Sequence, residues 1–172
     1  IGSNPRYEAT ILNARIRKAY LKNKVKIVSL NDVGNLTYPY EVLNGKSDAI
    51  KEIVEGKSEI SNIIKNAKKP IIIFGQSVLN IESGKYIFES IKSFLNSNNK
   101  ITDEWNPMNI ISENASTVGS LDLGIYKTSD GINEVLEDLK NNKFKIVYLL
   151  GQDNLNFEKK DEFVIYQGSH GG

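Results

Sequence analysis

Three glycine turns hold the residues best suited to chemistry: Gly2-Ser3-Asn4-Pro5, Gly75-Gln76-Ser77 and Gly151-Gln152-Asp153-Asn154. Each stands at the end of a short apolar run. Backbone N–H groups where a strand gives way to a helix suit an anion, above all a phosphate. None of the turns is Gly-x-Gly-x-x-Gly, and none carries the Lys-Ser/Thr of a P-loop. The bland alternative is that glycine merely permits a tight strand-to-helix turn. From the residues alone, phosphate contact and turn geometry both stay open.

The remaining candidates are weaker. Arg6, Arg15 and Arg17 are the only arginines and could grip a phosphate or carboxylate. A solvated helix face, or a contact with a missing neighbour, explains them more simply. His170, the single histidine, lies in Gly168-Ser169-His170-Gly171-Gly172 and has no recognisable Ser or Asp partner for acid–base work. Trp105 reads as core or loop packing, with an interface anchor as the alternative. Asp103 and Glu104, and likewise Glu158, Asp161 and Glu162, read as solvated turns rather than an acid–base pair. The sequence has no cysteine, which excludes disulfides, thiolate-bound zinc and Cys-ligated iron–sulfur clusters within it. One histidine excludes a multi-His metal site, and no EF-hand loop is present. Lys and Arg total 22 against 21 Asp and Glu, so no net field draws nucleic acid. No run reaches the roughly 18–20 apolar residues of a membrane helix, so no direct membrane insertion is expected.

These turns need strands and helices to hold them. Ile1 to Arg6 reads as the tail of a β-strand entering a turn, the expectation being an excised piece of a longer protein with its first strand truncated. Ala9, Leu12, Ile16, Ala19 and Tyr20 predict a helix over Tyr7 to Lys22, with Arg15, Lys18 and Lys22 on another face. Val25 to Leu30 reads as a strand, followed by a long loop over residues 31–45 that must pack on something. Ile50, Ile53 and Val54 mark a helix stopping at Gly56; Ile60, Ile63, Ile64 and Ala67 mark another, capped by Ser58. Pro70 to Phe74 reads as a buried strand, and Ile87, Phe88, Ile91, Phe94 and Leu95 as a strong helix. Trp105 to Ile111 suggests loop plus a short strand, and Ser112 to Gly124 small-residue turns or helix. Asp130 predicts the cap of a helix through Leu139, and Lys145–Leu150 and Glu162–Tyr166 close the chain as strands. This alternation predicts a single α/β domain over residues 1–172, Rossmann-like and three-layered, with a mostly parallel sheet and helices on both faces.

The residues also carry a family resemblance. Ile1-Gly2-Ser3-Asn4-Pro5-Arg6-Tyr7-Glu8-Ala9 and Leu12-Asn13-Ala14-Arg15-Ile16-Arg17-Lys18 resemble a domain in the largest peripheral-arm subunit of NADH-quinone oxidoreductase, respiratory complex I. The likeness continues through Asn35 to Tyr40, Ala67 to Gly75, Trp105 to Ile110, Leu121 to Gly124 and Ile165 to Gly171. That region is similar to molybdopterin oxidoreductases such as formate dehydrogenase. There a Gly-x-Asn-Pro turn approaches the phosphates of a bis-guanine-dinucleotide molybdenum cofactor. Gly2-Ser3-Asn4-Pro5 keeps that turn, whereas Gly151-Gln152-Asp153-Asn154 lacks its proline.

The resemblance implies a degenerate cofactor domain retained as a non-catalytic scaffold. Gly2, Asn4, Arg6, Gly75 and Ser77 would be vestigial phosphate-turn residues, with no cofactor in this fragment. It also implies iron–sulfur clusters in an amino-terminal part of the parent subunit. Expected partners are that iron–sulfur domain and other peripheral-arm subunits. The expected location is the cytoplasmic face of a bacterial inner membrane, or the mitochondrial matrix side. The rival reading is a working pterin- or nucleotide-binding domain of a molybdopterin-dependent oxidoreductase, with Gly2–Arg6 and Gly75–Ser77 on the phosphates.

Overall fold

A computed structural model describes residues 1–43, 48–114, 116–124, 129–152 and 158–168. The chain divides into two compact units, Ile1–Thr117 and Val118–Gly172.

In the first unit, α1 (Pro5–Glu8) and α2 (Thr10–Asn23) replace the single helix expected over Tyr7 to Lys22. The break falls at Ala9, whose φ of −150° leaves the helical region, while its N–H still donates to the Pro5 carbonyl at 3.1 Å. Lys24 closes α2 in the left-handed region. The strand expected over Val25 to Leu30 shortens to β1 (Val28–Ser29), which pairs in parallel with β2 (Glu41–Val42). That partner lies inside the segment read as loop. The long connection between them does pack: Leu36 and Tyr38 are buried. Tyr38 donates its hydroxyl to Asn13 Oδ1 at 2.8 Å, and Asn13 Nδ2 donates to the Leu36 carbonyl at 3.0 Å. The one buried residue of α2 is thus an asparagine whose polar atoms are matched by the loop, as burial requires.

Next come α3 (Asp48–Val54) and α4 (Glu59–Asn66). Ser58 caps α4 by accepting from the Ile60 N–H, and buried Ser61 donates to the Ile53 carbonyl at 2.7 Å, joining the two helices. β3 (Ile72–Gly75) follows, two residues later than its expected start at Pro70. It runs directly into α5 (Gln76–Leu79), a single turn with no sequence signature. α6 (Gly84–Ser97) presents Ile91, Phe94 and Leu95 inward at helical spacing. β4 (Met108–Ile111) then pairs in parallel with β3, Phe74 opposite Ile110. Phe74 and Leu95 are fully buried in a core with Ile50, Ile53, Ile60, Ile64, Ile91 and Phe94. The Phe74 and Phe88 rings meet with centroids 5.3 Å apart.

The second unit holds most of α7 (Thr117–Asp122), then α8 (Ser129–Lys140), β5 (Ile146–Leu150) and β6 (Phe163–Gln167). Asp130, expected to cap α8, falls inside its first turn. β5 and β6 pair in parallel, Tyr148 opposite Ile165. The three strand pairs among the described residues are parallel, as the apolar runs predicted, but they form three separate two-stranded sheets, and the isolated Thr102–Trp105 bridge is antiparallel. The fold is mixed helix and strand with small parallel sheets, in keeping with the α/β class.

Candidate functional site

The first two glycine turns meet. Ile1 lies beside β3 as a further parallel step: its amino group donates to the Ile73 carbonyl at 2.7 Å, and its carbonyl accepts from Gly75 N–H at 2.8 Å. The chain then turns through Gly2, whose φ of +60° lies in the left-handed region that glycine alone enters freely. The fit there is close on both sides. A Cβ on Gly75 would overlap the Gly2 carbonyl and approach Ser3 Cα to 2.9 Å; one on Gly2 would meet Val78 Cβ at 2.6 Å. Ser77 Oγ donates to the Gly2 carbonyl at 2.6 Å and fastens the two turns together. Gly75 is required for backbone to pack on backbone, and Gly2 for a left-handed turn against the Val78 side chain.

The side chains that the rival reading sets on phosphates bond within the chain. Asn4 caps α1, its Oδ1 accepting from Arg6 N–H at 3.2 Å, and its Nδ2 donates to the Val33 carbonyl at 2.9 Å. Arg6 Nη1 donates to the Asn35 carbonyl at 2.6 Å. Glu8, which no motif singles out, folds back onto the turn: Oε1 accepts from Asn4 N–H at 2.7 Å and Oε2 from the Ser3 hydroxyl at 2.9 Å. A carboxylate of the chain itself therefore takes up the backbone N–H and hydroxyl that would otherwise greet an anion. A glutamate shortly after an N-cap asparagine is the sequence trace of such a back-bond, one residue beyond the usual capping box. Gln76, which likewise carries no signature, ties the site to the end of β4 by accepting from Glu113 N–H at 3.0 Å.

The loop that receives Asn4 and Arg6 is fixed in its turn by Tyr40, whose hydroxyl donates to Asp32 Oδ1 at 2.7 Å and accepts from Val33 N–H at 3.1 Å. The Tyr40 hydroxyl, helped by Gly34 N–H, holds the Asp32 carboxyl below its usual range.

The other sequence candidates do not join this place. Arg15 and Arg17 are exposed on α2. Trp105 donates Nε1 to the Pro70 carbonyl at 3.1 Å, with Lys69 Nζ 5.1 Å above its ring, which is loop packing. Asp103 and Glu104 occupy an exposed turn. Glu158 and Asp161 are exposed, but Glu162 is buried rather than solvated, its carboxylate accepting from Lys160 N–H at 3.0 Å. Gly151 takes a φ of +61° in the second unit, while Asp153, Asn154 and His170 lie outside the described residues. Among the described residues, no group of three or more His, Asp or Glu side chains is placed to hold a metal ion.

Comparison with known proteins gives this geometry its setting. A match to the family described as molybdopterin oxidoreductase spans residues 1–172. The chain belongs to the molybdopterin oxidoreductase family. It is 39% identical over 174 residues to the NADH-ubiquinone oxidoreductase 75 kDa subunit of Reclinomonas americana, covering 99% of this chain and 25% of that protein. It is 35% identical to NADH dehydrogenase (ubiquinone) iron-sulfur protein 1, mitochondrial, of Solanum tuberosum, covering 99% of this chain and 22% of that protein. The NADH-ubiquinone oxidoreductase 78 kDa subunit of Neurospora crassa is likewise 35% identical over 99% of this chain. The resemblance read from the opening block is borne out over the whole length, and the chain spans about a quarter of the curated relatives it matches. Within the molybdopterin oxidoreductase family, this member's Gly-Ser-Asn-Pro turn is tied to its own Glu8, Val33 and Asn35.

Proposed function

We propose that this chain is a structural, non-catalytic part of the large iron–sulfur subunit of an NADH:quinone oxidoreductase, supporting electron transfer without carrying it. The observation that carries the reading is the engagement of Glu8 with Asn4 N–H and the Ser3 hydroxyl, together with Asn4 and Arg6 bonded to the 33–35 loop. Gly2, Asn4, Arg6, Gly75 and Ser77 then serve packing, and no pterin or nucleotide phosphate occupies the turn. The α/β class would take a Rossmann-like, three-layer form with a mostly parallel sheet. Its partners would be the iron–sulfur domain of the same polypeptide and neighbouring subunits. The site of action would be the inner face of a bacterial inner membrane or the matrix side of a mitochondrial one. The word mitochondrial in the names of the Solanum tuberosum and Neurospora crassa relatives supports the matrix-side placement.

The test places Asn4→Ala and Ser77→Ala in the full-length subunit and measures NADH-to-quinone turnover per assembled complex. The expected result is a smaller yield of complex with unchanged turnover per complex. Normal assembly with lost turnover would overturn the scaffold reading.

A further inference from the structure

We draw no further inference here: the strongest candidate, the exposed apolar face of the β5–β6 sheet made by Ile146, Tyr148, Leu150, Phe163 and Ile165, carries nothing because nothing in the structure shows what covers it.

Discussion

Gly75→Ala probes the meeting of the two turns most sharply. The added Cβ overlaps the Gly2 carbonyl and lies 2.6 Å from its carbon and 2.9 Å from Ser3 Cα, all backbone atoms with no rotamer to yield. Relief requires the Gly2–Pro5 turn to back away. That breaks the bonds from Gly75 N–H to Ile1 and from Ser77 Oγ to Gly2, each contributing about 1 kcal/mol net. Overpacking adds about 1–3 kcal/mol, so about 3–5 kcal/mol is expected. With a urea dependence of about 1–3 kcal/mol/M, the unfolding midpoint falls by about 2 M. Trp105, the single tryptophan, lies in the same unit and reports it by fluorescence. Gly119→Ala, in the second unit and with nothing within 4 Å of its added Cβ, is the control and should leave the midpoint read by Trp105 unchanged. A Gly75→Ala midpoint equal to that of the unsubstituted protein would refute the packing account.

Three further outcomes follow from the same geometry. Thr37 holds a φ of +73°, a region that β-branched residues enter at a cost, so Thr37→Gly should raise stability by about 1 kcal/mol in the same urea titration. Asp32 is held below its usual pKa by Tyr40 and Gly34, so its contribution is present above the unfolded carboxylate pKa, about 4, and is lost as pH falls through the lower folded value. Tyr40→Phe should therefore destabilise at pH 7 and progressively less below about pH 4, and a pH-independent difference would count against that bond. Phe74→Ala should cost about 3–5 kcal/mol by thermal or urea unfolding, whereas Ile71→Ala, at a residue 59% exposed, should stay within about 0.5 kcal/mol.

What the sequence disclosed follows from how local each signal is. Ile87, Phe88, Ile91, Phe94 and Leu95 carry a helical period strong enough to place α6, and the Pro70–Phe74 run placed β3 within two residues. Gly2 and Gly75 were legible because a left-handed turn and a backbone–backbone contact both exclude other residues. By contrast β2, two residues long, has no period to read, and α5 is a single turn. The break at Ala9 comes directly after Glu8, whose carboxylate bends back to Ser3 and Asn4, a contact a propensity scale does not contain. Asn13 carries no local signal of burial; the Leu36 carbonyl and the Tyr38 hydroxyl, brought in from the loop, match its polar atoms where it is buried. The direction of Asn4 and Arg6, toward the 33–35 loop rather than outward, was invisible for the same reason. Residue types announced donors, and tertiary structure decided what they bond.

The central claim is that Glu8 and the 33–35 loop have taken over the donors of a phosphate turn. Native mass spectrometry of the chain with GDP and with inorganic phosphate tests it most directly. The account predicts the bare mass throughout. A one-to-one adduct abolished by Asn4→Ala or Arg6→Ala would contradict it.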